Sequence, residues 1–471
     1  MTAAFWAVIV GYFAGVLTLG WLGYRRTRTA SDFIVAGRSL GAVVGGATLA
    51  ATQISAGTFV GTVGLHYMAG VDFVWVWPGA WLGWFVSAVF VAPKLRASGA
   101  LTVPEYFLLR FGSPAARALA AALIVLAYTI FLVAQYRASG IIVHAVVGWP
   151  AWTGIALVLA STAVYSLLGG LHGGARIDLM QTAVMVVGVV AAVPYLLQPL
   201  GGLDGLATEL ARVDVRLLGG FYRLKDLVSF AASFGLGLAA TPLEITRFIS
   251  MRDTATARYA VGVAYVFQAV IGIAIMMIGL SMRALFPGLP TPDLASAVMA
   301  AHVLTPIAGA LLVVAAFSAI MSTVNALLLV ASASIAHDFY TPLFRPAASD
   351  RERLLVNRLG IVALALLPVW FAAHEAGLVQ FIVLFQAKLV ASFFFAPIVV
   401  GLNWRRATPA GALASMLAGL AVCVWWSLQR TPPVGLDAIF PGVGVSLAVF
   451  VLVSLVTRPG AVAPIPERMP S

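Results

Sequence analysis

The sequence has little of what soluble enzymes and secreted domains are built from. Among its 471 residues there is one cysteine, Cys423, and only 10% of the residues are charged. A single cysteine excludes an intramolecular disulfide framework. The sequence also lacks a His-Glu metal motif, a phosphate-binding loop ending in Gly-Lys-Ser or Gly-Lys-Thr, and a nucleophile elbow. These absences argue against an enzyme and against transport driven by ATP.

What the chain has instead is hydrophobic sequence, which makes up 62% of its residues. Apolar runs of about 20 residues, each long enough to cross a bilayer, recur from one end to the other. They predict an all-α integral membrane protein with about 13 transmembrane helices. The polar stretches at about 200–226 and 337–353 are expected to be loops. The predicted spans are 4–22, 41–67, 72–92, 118–146, 150–169, 178–199, 227–246, 259–284, 304–336, 354–373, 378–402, 409–429 and 436–457.

The net charge of +11 comes from basic residues that cluster between alternate spans. By the positive-inside rule these clusters lie in the cytoplasm, which places the N-terminus outside and the C-terminus inside a plasma membrane. The charge is therefore explained without nucleic acid, and the expected partners are membrane lipid and a small-molecule substrate. The basic clusters lie at 25–38, 94–117, 176, 247–258, 345–358, 405–406 and 458–468.

Two of the predicted spans carry signals of a broken helix. In 41–67, Gly, Ser and Thr are dense, and we expect a break near Thr52–Thr58. The span 227–246 contains Gly235, Gly237 and Pro242, and it begins five segments after the first break. That spacing suits two inverted repeats of five helices each, and broken helices indicate a midplane binding site. The alternative for each Gly cluster is close packing between helices.

The apolar stretch 315–340 carries several hydroxyl groups, among them the adjacent Ser322 and Thr323. Two hydroxyls and a nearby backbone carbonyl could form half of an oxygen cage for a small hard cation such as sodium. The alternative is that each hydroxyl bonds the carbonyl one turn back, as is common in membrane helices.

Five ordered motifs give the chain a family resemblance that covers nearly its whole length. They are ATQISAGTFVG at 51–61, LLGGLHGGARIDLMQ at 167–181, TPLEITRFIS at 241–250, AIMSTVNALLLVASASIAHDFY at 319–340 and GLNWRRATPAG at 401–411. In this order they resemble the sodium:solute symporter family. The resemblance implies a leucine-transporter-like fold with one extra helix before the core and two after it. The implied divisions are 1–38 (first helix and cytoplasmic loop), 39–402 (core, with repeats at about 39–226 and 227–402) and 403–471 (two helices and a cytoplasmic tail).

The resemblance also implies a sodium ion as the coupling ion and a set of ligands for it. These ligands are the backbone carbonyls of Ala51, Ile54 and Ala319 and the hydroxyls of Ser322 and Thr323. Asp178 matches a family acid associated with sodium passage; an ordinary carboxylate at a helix start is the other interpretation. Neutral oxygens favour sodium or proton coupling over a divalent ion.

Family members that carry proline have an Asp where this chain has Gln53, and a Trp and a Tyr where it has Phe234 and Leu238. These departures argue against proline. Arg137 and Lys388 lie inside predicted spans, where charges are costly and often functional. If they face the central cavity, they would bind a carboxylate, which predicts a small organic anion such as a monocarboxylate or a pantothenate-like acid.

The remaining predicted substrate residues are uncharged: Gln53, Ser55 and Thr58 at the proposed break, and Gln135 in the fourth segment. Interhelical hydrogen bonding would also explain them. The alternatives left open are a sodium-coupled carrier of sugars or neutral amino acids, a proton-coupled carrier and, from another class, a membrane sensor.

Overall fold

The structure is a computed structural model that describes residues 2–24, 30–374, 377–429, 431 and 433–458. Part of the predicted basic loop after the first span, at 25–29, and the predicted tail beyond 458 lie outside the described residues. Within the described ranges all the regular elements are helices. This confirms the all-α membrane fold.

The helices follow the apolar runs, with short helices at their ends. In chain order the α-helices are α1 (Ala3–Tyr24), α2 (Ala30–Val35), α3 (Ala42–Gln53), α4 (Val63–Ala69), α5 (Val76–Val86), α6 (Ala92–Ala97), α7 (Val103–Phe111), α8 (Pro114–Val147), α9 (Ala151–Leu200), α10 (Leu203–Asp214), α11 (Leu224–Ala240), α12 (Pro242–Ile249), α13 (Thr254–Leu285), α14 (Ala295–His302), α15 (Pro306–Ala333), α16 (Thr341–Phe344), α17 (Asp350–Leu366), α18 (Val369–His374), α19 (Val379–Phe394), α20 (Gly401–Asn403), α21 (Pro409–Ser427) and α22 (Ile439–Val456).

Tighter and wider helical turns join several of these helices. The 3₁₀ turns are Ala36–Arg38, Gly70–Trp75, Val215–Leu218, Pro292–Leu294 and Pro433–Gly435, and the π-helical turns are Gly57–Thr62, Ser87–Val91, Ser334–Tyr340 and Phe395–Val400.

Among the described residues, ten helical stretches are long and apolar enough to cross a membrane, and the bent pair α11–α12 makes eleven. The prediction of about 13 transmembrane helices divided the same apolar sequence into more segments. The predicted spans 150–169 and 178–199 lie in α9, where only Gly170 leaves the helical conformation, with a φ of 53° and a ψ of −153°. Its positive φ suits glycine, so one residue turns the chain without a loop.

The second predicted break exists, but its cause is only partly the one expected. The bend of 45° lies between α11 and α12, at Thr241, directly before Pro242. Gly235 and Gly237 lie inside the continuous helix α11, where they admit close neighbours. A Cβ atom at Gly235 would lie 2.8 Å from the carbonyl oxygen of Gly79, and one at Gly237 would lie 3.0 Å from that of Ala387. These glycines therefore serve helix packing.

The stretches expected to be loops carry helices as well. Residues 203–214 form α10, in which Leu206 and Leu210 are one turn apart and face the same side. Both pack with Leu217 and with Leu280 of α13. Burial of this leucine cluster explains why a stretch that is too polar to span a membrane is nevertheless helical.

The stretch Pro306–Phe344, which begins with α15 and carries the row of hydroxyls, is the most buried of the membrane-spanning stretches, with 89% of its most apolar part inside the protein. Helix α15 packs on α9, α1, α8 and α3. A hydroxyl on this helix therefore faces protein rather than lipid, and its hydrogen-bonding partner has to come from a neighbouring helix or from α15 itself.

The contact between α5 and α11 provides a stability test. A Cβ at Gly79 would overlap the backbone carbonyl oxygen of Ala231, whereas a Cβ at Gly262 on α13 meets nothing within 4 Å. We expect Gly79→Ala to destabilise the protein by about 1–3 kcal/mol through overpacking. The control, Gly262→Ala, should be neutral or stabilising by up to about 1 kcal/mol because Ala favours a helix. Thermal unfolding of the two purified variants in detergent compares them, and equal midpoints would contradict this packing.

Candidate cation and substrate site

The first broken helix leaves backbone carbonyls without their helical partners. In a continuous helix the N–H groups of Ser55 and Ala56 would bond the carbonyls of Ala51 and Thr52. Here the Ser55 N–H donates to Thr58 Oγ1 at 3.3 Å, and the Ala56 N–H donates to Gln135 Oε1 at 3.0 Å. The carbonyls of Ala51 and Thr52 are thereby released from the helix.

The next turn continues this pattern. The Gly57 N–H donates to Ser55 Oγ at 3.1 Å, and the Thr58 N–H donates to the carbonyl of Ser55 at 2.9 Å. The carbonyls of Gln53 and Ile54 therefore lose their helical donors too. Ile54 itself is extended, with a ψ of 113°. The predicted break near Thr52–Thr58 is present, and Ser55, Thr58 and Gln135 stabilise it by capping its amides.

Two hydroxyls of α15 meet the released carbonyls. Ser322 Oγ lies 2.8 Å from the Ala51 oxygen and 3.0 Å from that of Ala319. Thr323 Oγ1 lies 3.2 Å from the Thr52 oxygen, 3.4 Å from that of Ile54 and 3.0 Å from that of Ala319. The structure thus brings together all five oxygens predicted to bind sodium. It adds the carbonyl of Thr52, which the sequence analysis did not include.

The cluster has more acceptors than donors. Three released carbonyls face two hydroxyl protons, and each hydroxyl is also within reach of Ala319, its own backbone one turn back. Both interpretations of the hydroxyls therefore apply at once. A small monovalent cation would satisfy the surplus oxygens, since hard cations prefer carbonyl and hydroxyl ligands. The donor set fits sodium.

Asp178 lies close to this cluster, in the interior of α9. It is fully buried and accepts a hydrogen bond from Thr48 of α3. Arg247 of α12 lies 3.9 Å from Asp178, measured from Nη2 to Oδ2, and its Nε donates to Thr52 Oγ1 at 3.1 Å. Arg247 therefore connects the carboxylate of Asp178 to the residue whose carbonyl faces Thr323.

A cavity lies on the other side of the break. Gln53, Ser55 and Thr58 line it, as predicted. Among the described residues that form its wall, none is charged. The remaining lining residues are Gly57, Thr62, Val76, Trp77, Ala80, Phe131, Phe234, Gly237, Leu238, Thr241, Leu243, Gln380, Val383, Gln386, Ala387 and Val390.

The other three predicted substrate residues lie elsewhere. Gln135 is fully buried behind the break, where it bonds Ala56. Arg137 lines a separate cavity with His144 and Trp152. Lys388 forms a salt bridge of 2.6 Å with Asp437, which lies just before α22. Arg137 and Lys388 thus do not line the central cavity, contrary to expectation, because each points away from it toward another partner or cavity.

Two glutamines of the cavity wall were not predicted from the sequence. Gln380 and Gln386 both lie on α19, opposite the break. A Cβ at Gly61 would lie 2.7 Å from Gln380 Oε1, so this amide lies against the glycines that follow the break. Amide side chains in an otherwise apolar span were the available signal, since buried polar groups in membrane helices need partners.

Curated relatives match the chain over nearly its whole length. It is 26% identical over 461 residues to an osmoregulated proline transporter of Bacillus subtilis (strain 168), covering 95% of this chain and 94% of the relative. It is 27% identical over 480 residues to a sodium/proline symporter of Haemophilus influenzae, covering 95% and 94%.

Solved structures show the same fold. A Na⁺-coupled sialic acid symporter, in a substrate-bound outward-open state, matches with a TM-score of 0.83 at 19% identity, covering 97% of this chain and 99% of that one. A nucleobase-cation-symport-1 family transporter, in a closed conformation, matches with a TM-score of 0.59 at 13% identity, covering 91% and 96%. The expected leucine-transporter-like fold is confirmed.

The family model of the sodium:solute symporters matches residues 33–419. This stretch contains the broken helix, the hydroxyl-bearing helix, Asp178 and the cavity. The chain is a multi-pass membrane transporter rather than an enzyme, and it belongs to the sodium:solute symporter family.

Proposed function

We propose that this protein is a sodium-coupled symporter that imports a small zwitterionic amino acid by alternating access. One observation carries the proposal. The break after Gln53 contributes carbonyls to the oxygen cluster on one side and side chains to an uncharged cavity on the other. A bound cation and a bound solute would therefore both depend on the conformation of one short segment.

The proposed sodium ligands are the carbonyls of Ala51, Ile54 and Ala319 and the hydroxyls of Ser322 and Thr323. Each of these carbonyl oxygens lies within 3.4 Å of at least one of the two hydroxyls, which supports this assignment. Unwound carbonyls at a helix break are the usual sodium ligands in this architecture. A site of neutral oxygens holds sodium loosely enough for the ion to leave again, whereas several carboxylates would favour calcium.

Asp178 is proposed to assist the ion on its way out toward the predicted cytoplasmic side. The carboxylate lies beyond the cluster and is joined to it through Arg247 and Thr52. An anionic group at this position attracts the departing cation. Its hydrogen bond from Thr48, one turn before Thr52 on α3, ties its position to the same broken helix.

The uncharged cavity favours a zwitterion over the organic anion suggested by the sequence. An anion needs a cationic partner, and neither Arg137 nor Lys388 is part of the wall. A zwitterion can be bound by the groups at the break. The dipole of the half-helix that begins at Gly57 attracts a carboxylate to its N-terminal end, where the capping hydroxyls of Ser55 and Thr58 can donate to it. The released carbonyl of Gln53 can accept a bond from an ammonium group. Gln53, Ser55 and Thr58 are the proposed side-chain contacts.

Proline is the first amino acid to test, because the relatives named above are proline transporters. The cavity also differs from that of proline carriers. Gln53, Phe234 and Leu238, which stand where those carriers have Asp, Trp and Tyr, all line it. These differences make other small neutral amino acids direct competitors for the assignment.

The substrate class is tested by uptake into proteoliposomes with and without an inward sodium gradient. Labelled L-proline, other neutral amino acids, monocarboxylates and sugars form the panel. We expect sodium-driven uptake of at least one amino acid and no uptake of monocarboxylates. Uptake of monocarboxylates alone would overturn the zwitterion proposal, and uptake that ignores sodium in every case would overturn the coupling.

The sodium site is tested by binding of radioactive sodium to purified protein. Ser322→Ala and Thr323→Ala each remove one ligand oxygen, worth about 1.5–3 kcal/mol for a bond to a charged group, so each should weaken binding about 10–100-fold. Ser332→Ala is the matched control, since its hydroxyl lies on the same helix and bonds only its own backbone, at the Leu329 carbonyl. Equal sodium affinity in all three variants would contradict the site.

A substitution of Lys388 tests whether this basic side chain lies outside the substrate cavity. Lys388→Met should leave the KM for the transported solute unchanged, because the ammonium group lies outside the cavity. It should lower stability by about 1–3 kcal/mol, between the values for exposed and buried ion pairs, because it strands the half-buried Asp437. The double variant Lys388→Met/Asp437→Asn should recover stability in thermal unfolding. A large rise in KM for the single variant would restore the anion hypothesis.

A further inference from the structure

The second break places one short helix between two cavities. Thr241 and Leu243, at the start of α12, line the central cavity. Thr246 and Arg247, one turn later, line a second, much smaller cavity together with residues from α2, the start of α7 and the end of α15. Glu244 lies between these two pairs. The sodium pathway described above does not use it.

The side chain of Glu244 is fully buried, and its hydrogen-bonding capacity is not satisfied. Neither carboxylate oxygen has a partner within hydrogen-bonding geometry among the described residues. The indole N–H of Trp84 on α5 faces this carboxylate and is itself buried and unpaired in the described structure. An ionised carboxylate without partners is among the most costly groups to bury, so Glu244 is suited to carry a proton here.

The local sequence offers Glu244 a partner that it does not use. Thr241-Pro-Leu-Glu244 matches the capping-box pattern, in which the Glu bonds the N–H of the first residue and the Thr hydroxyl caps the helix. In the structure the Thr241 hydroxyl is 3.2 Å from the hydroxyl of Tyr128 on α8, and no side-chain cap forms. An ionised Glu244 therefore has an alternative partner, the N–H of Thr241, at the hinge between α11 and α12.

The balance of charges around α12 also favours a protonated Glu244. Arg247 is the one cation that faces this region from α12 itself, and the two buried acids near it are Asp178 of α9 and Glu244. Tyr128 and Tyr165 face Arg247 as neutral groups.

The charged side chains on the neighbouring elements are occupied elsewhere. Arg96 of α6 donates to the Ile249 carbonyl at the far end of α12, Lys94 donates to Asn403, Arg110 to Trp404, and Glu105 accepts from Leu101. One guanidinium thus offsets one of the two acids, and a proton on the other makes the buried group neutral.

A metal ion would fit this place poorly. A hard cation such as sodium needs several oxygen ligands, whereas the groups that face the carboxylate of Glu244 are hydrogen-bond donors, the guanidinium of Arg247 and the indole N–H of Trp84. A proton requires only one carboxylate oxygen.

We propose that Glu244 is a proton-binding site, which holds a proton in this conformation and exchanges it when α12 swings at the Thr241 hinge. The proton would be a second coupled cation beside sodium, bound between the substrate cavity and the predicted cytoplasmic exit. Movement of α12 would open the small cavity to Glu244, and the ionised form would be stabilised by the Thr241 N–H. This goes beyond sodium-coupled symport and does not depend on the identity of the substrate.

Infrared spectroscopy of the purified, full-length protein near neutral pH tests the proposal directly, because a protonated carboxylic acid has a C=O stretch distinct from that of a carboxylate. We expect this band in the wild-type protein, its loss in Glu244→Gln, a shifted band in Glu244→Asp and its retention in the control Asp72→Asn, whose buried carboxylate already accepts bonds from the N–H groups of Gly220 and Tyr222. Absence of the band from the wild-type protein, which needs no variant to fold, would overturn the proposal, as would its retention in Glu244→Gln.

A second arm separates this site from the sodium site. Radioactive sodium binding is measured over a range of pH in the wild-type protein and in Glu244→Gln, without any solute. We expect Glu244→Gln to bind sodium and to lose a step in the pH dependence that the wild-type protein shows. An unchanged pH profile would contradict the coupling of proton and sodium, whereas loss of sodium binding in Ser322→Ala reports only on the sodium site.

Discussion

The absence of water inside a membrane is the constraint on which the rest of this structure depends. Every backbone carbonyl there needs a partner, and a helix that stops in mid-membrane releases several at once. After Gln53 the N–H groups of the break are taken by Ser55, Thr58 and Gln135. The carbonyls of Ala51, Thr52 and Ile54 are left to the hydroxyls of α15. Because this cluster has more hydrogen-bond acceptors than protons, a cation would stabilise it. The substrate cavity lies on the opposite side of the same segment.

The two broken helices communicate through a few buried polar groups. Arg247, on the short helix after the second break, reaches Thr52 in the first and lies beside Asp178. A movement of α12 would therefore alter the surroundings of a carbonyl in the ion cluster as well as the wall of the cavity, to which Thr241 and Leu243 contribute. This physical connection is what coupling between an ion and a solute requires, because each ligand has to bias a shared conformational change.

The sequence was sufficient where chemistry depends on local pattern. Gly, Ser and Thr between apolar flanks located the first break, Pro242 located the second, and motifs carried by resemblance named five oxygens that the structure brings together. It was insufficient where the answer depends on rotation about a helix axis. Hydropathy shows that Lys388 lies deep in a span but not that its side chain faces Asp437. It likewise shows that Arg137 lies in a span but not that its side chain lines a separate cavity. Gly235 and Gly237 suggested a break because glycine occurs both in unwound turns and where two helices pack closely, and composition alone does not distinguish the two cases. The role of Gln380 and Gln386 became evident only from the fold, which places α19 across the cavity from the first break.

Sodium binding by the oxygen cluster can be tested through the thermal unfolding midpoint of the purified wild-type protein in sodium chloride, compared with potassium chloride and choline chloride at the same ionic strength. A ligand that binds only the folded state raises its stability by mass action. We expect a midpoint that rises with sodium concentration and does not change with the concentration of the other two salts. Equal midpoints in all three salts would show that the released carbonyls and the two hydroxyls satisfy one another and bind no sodium.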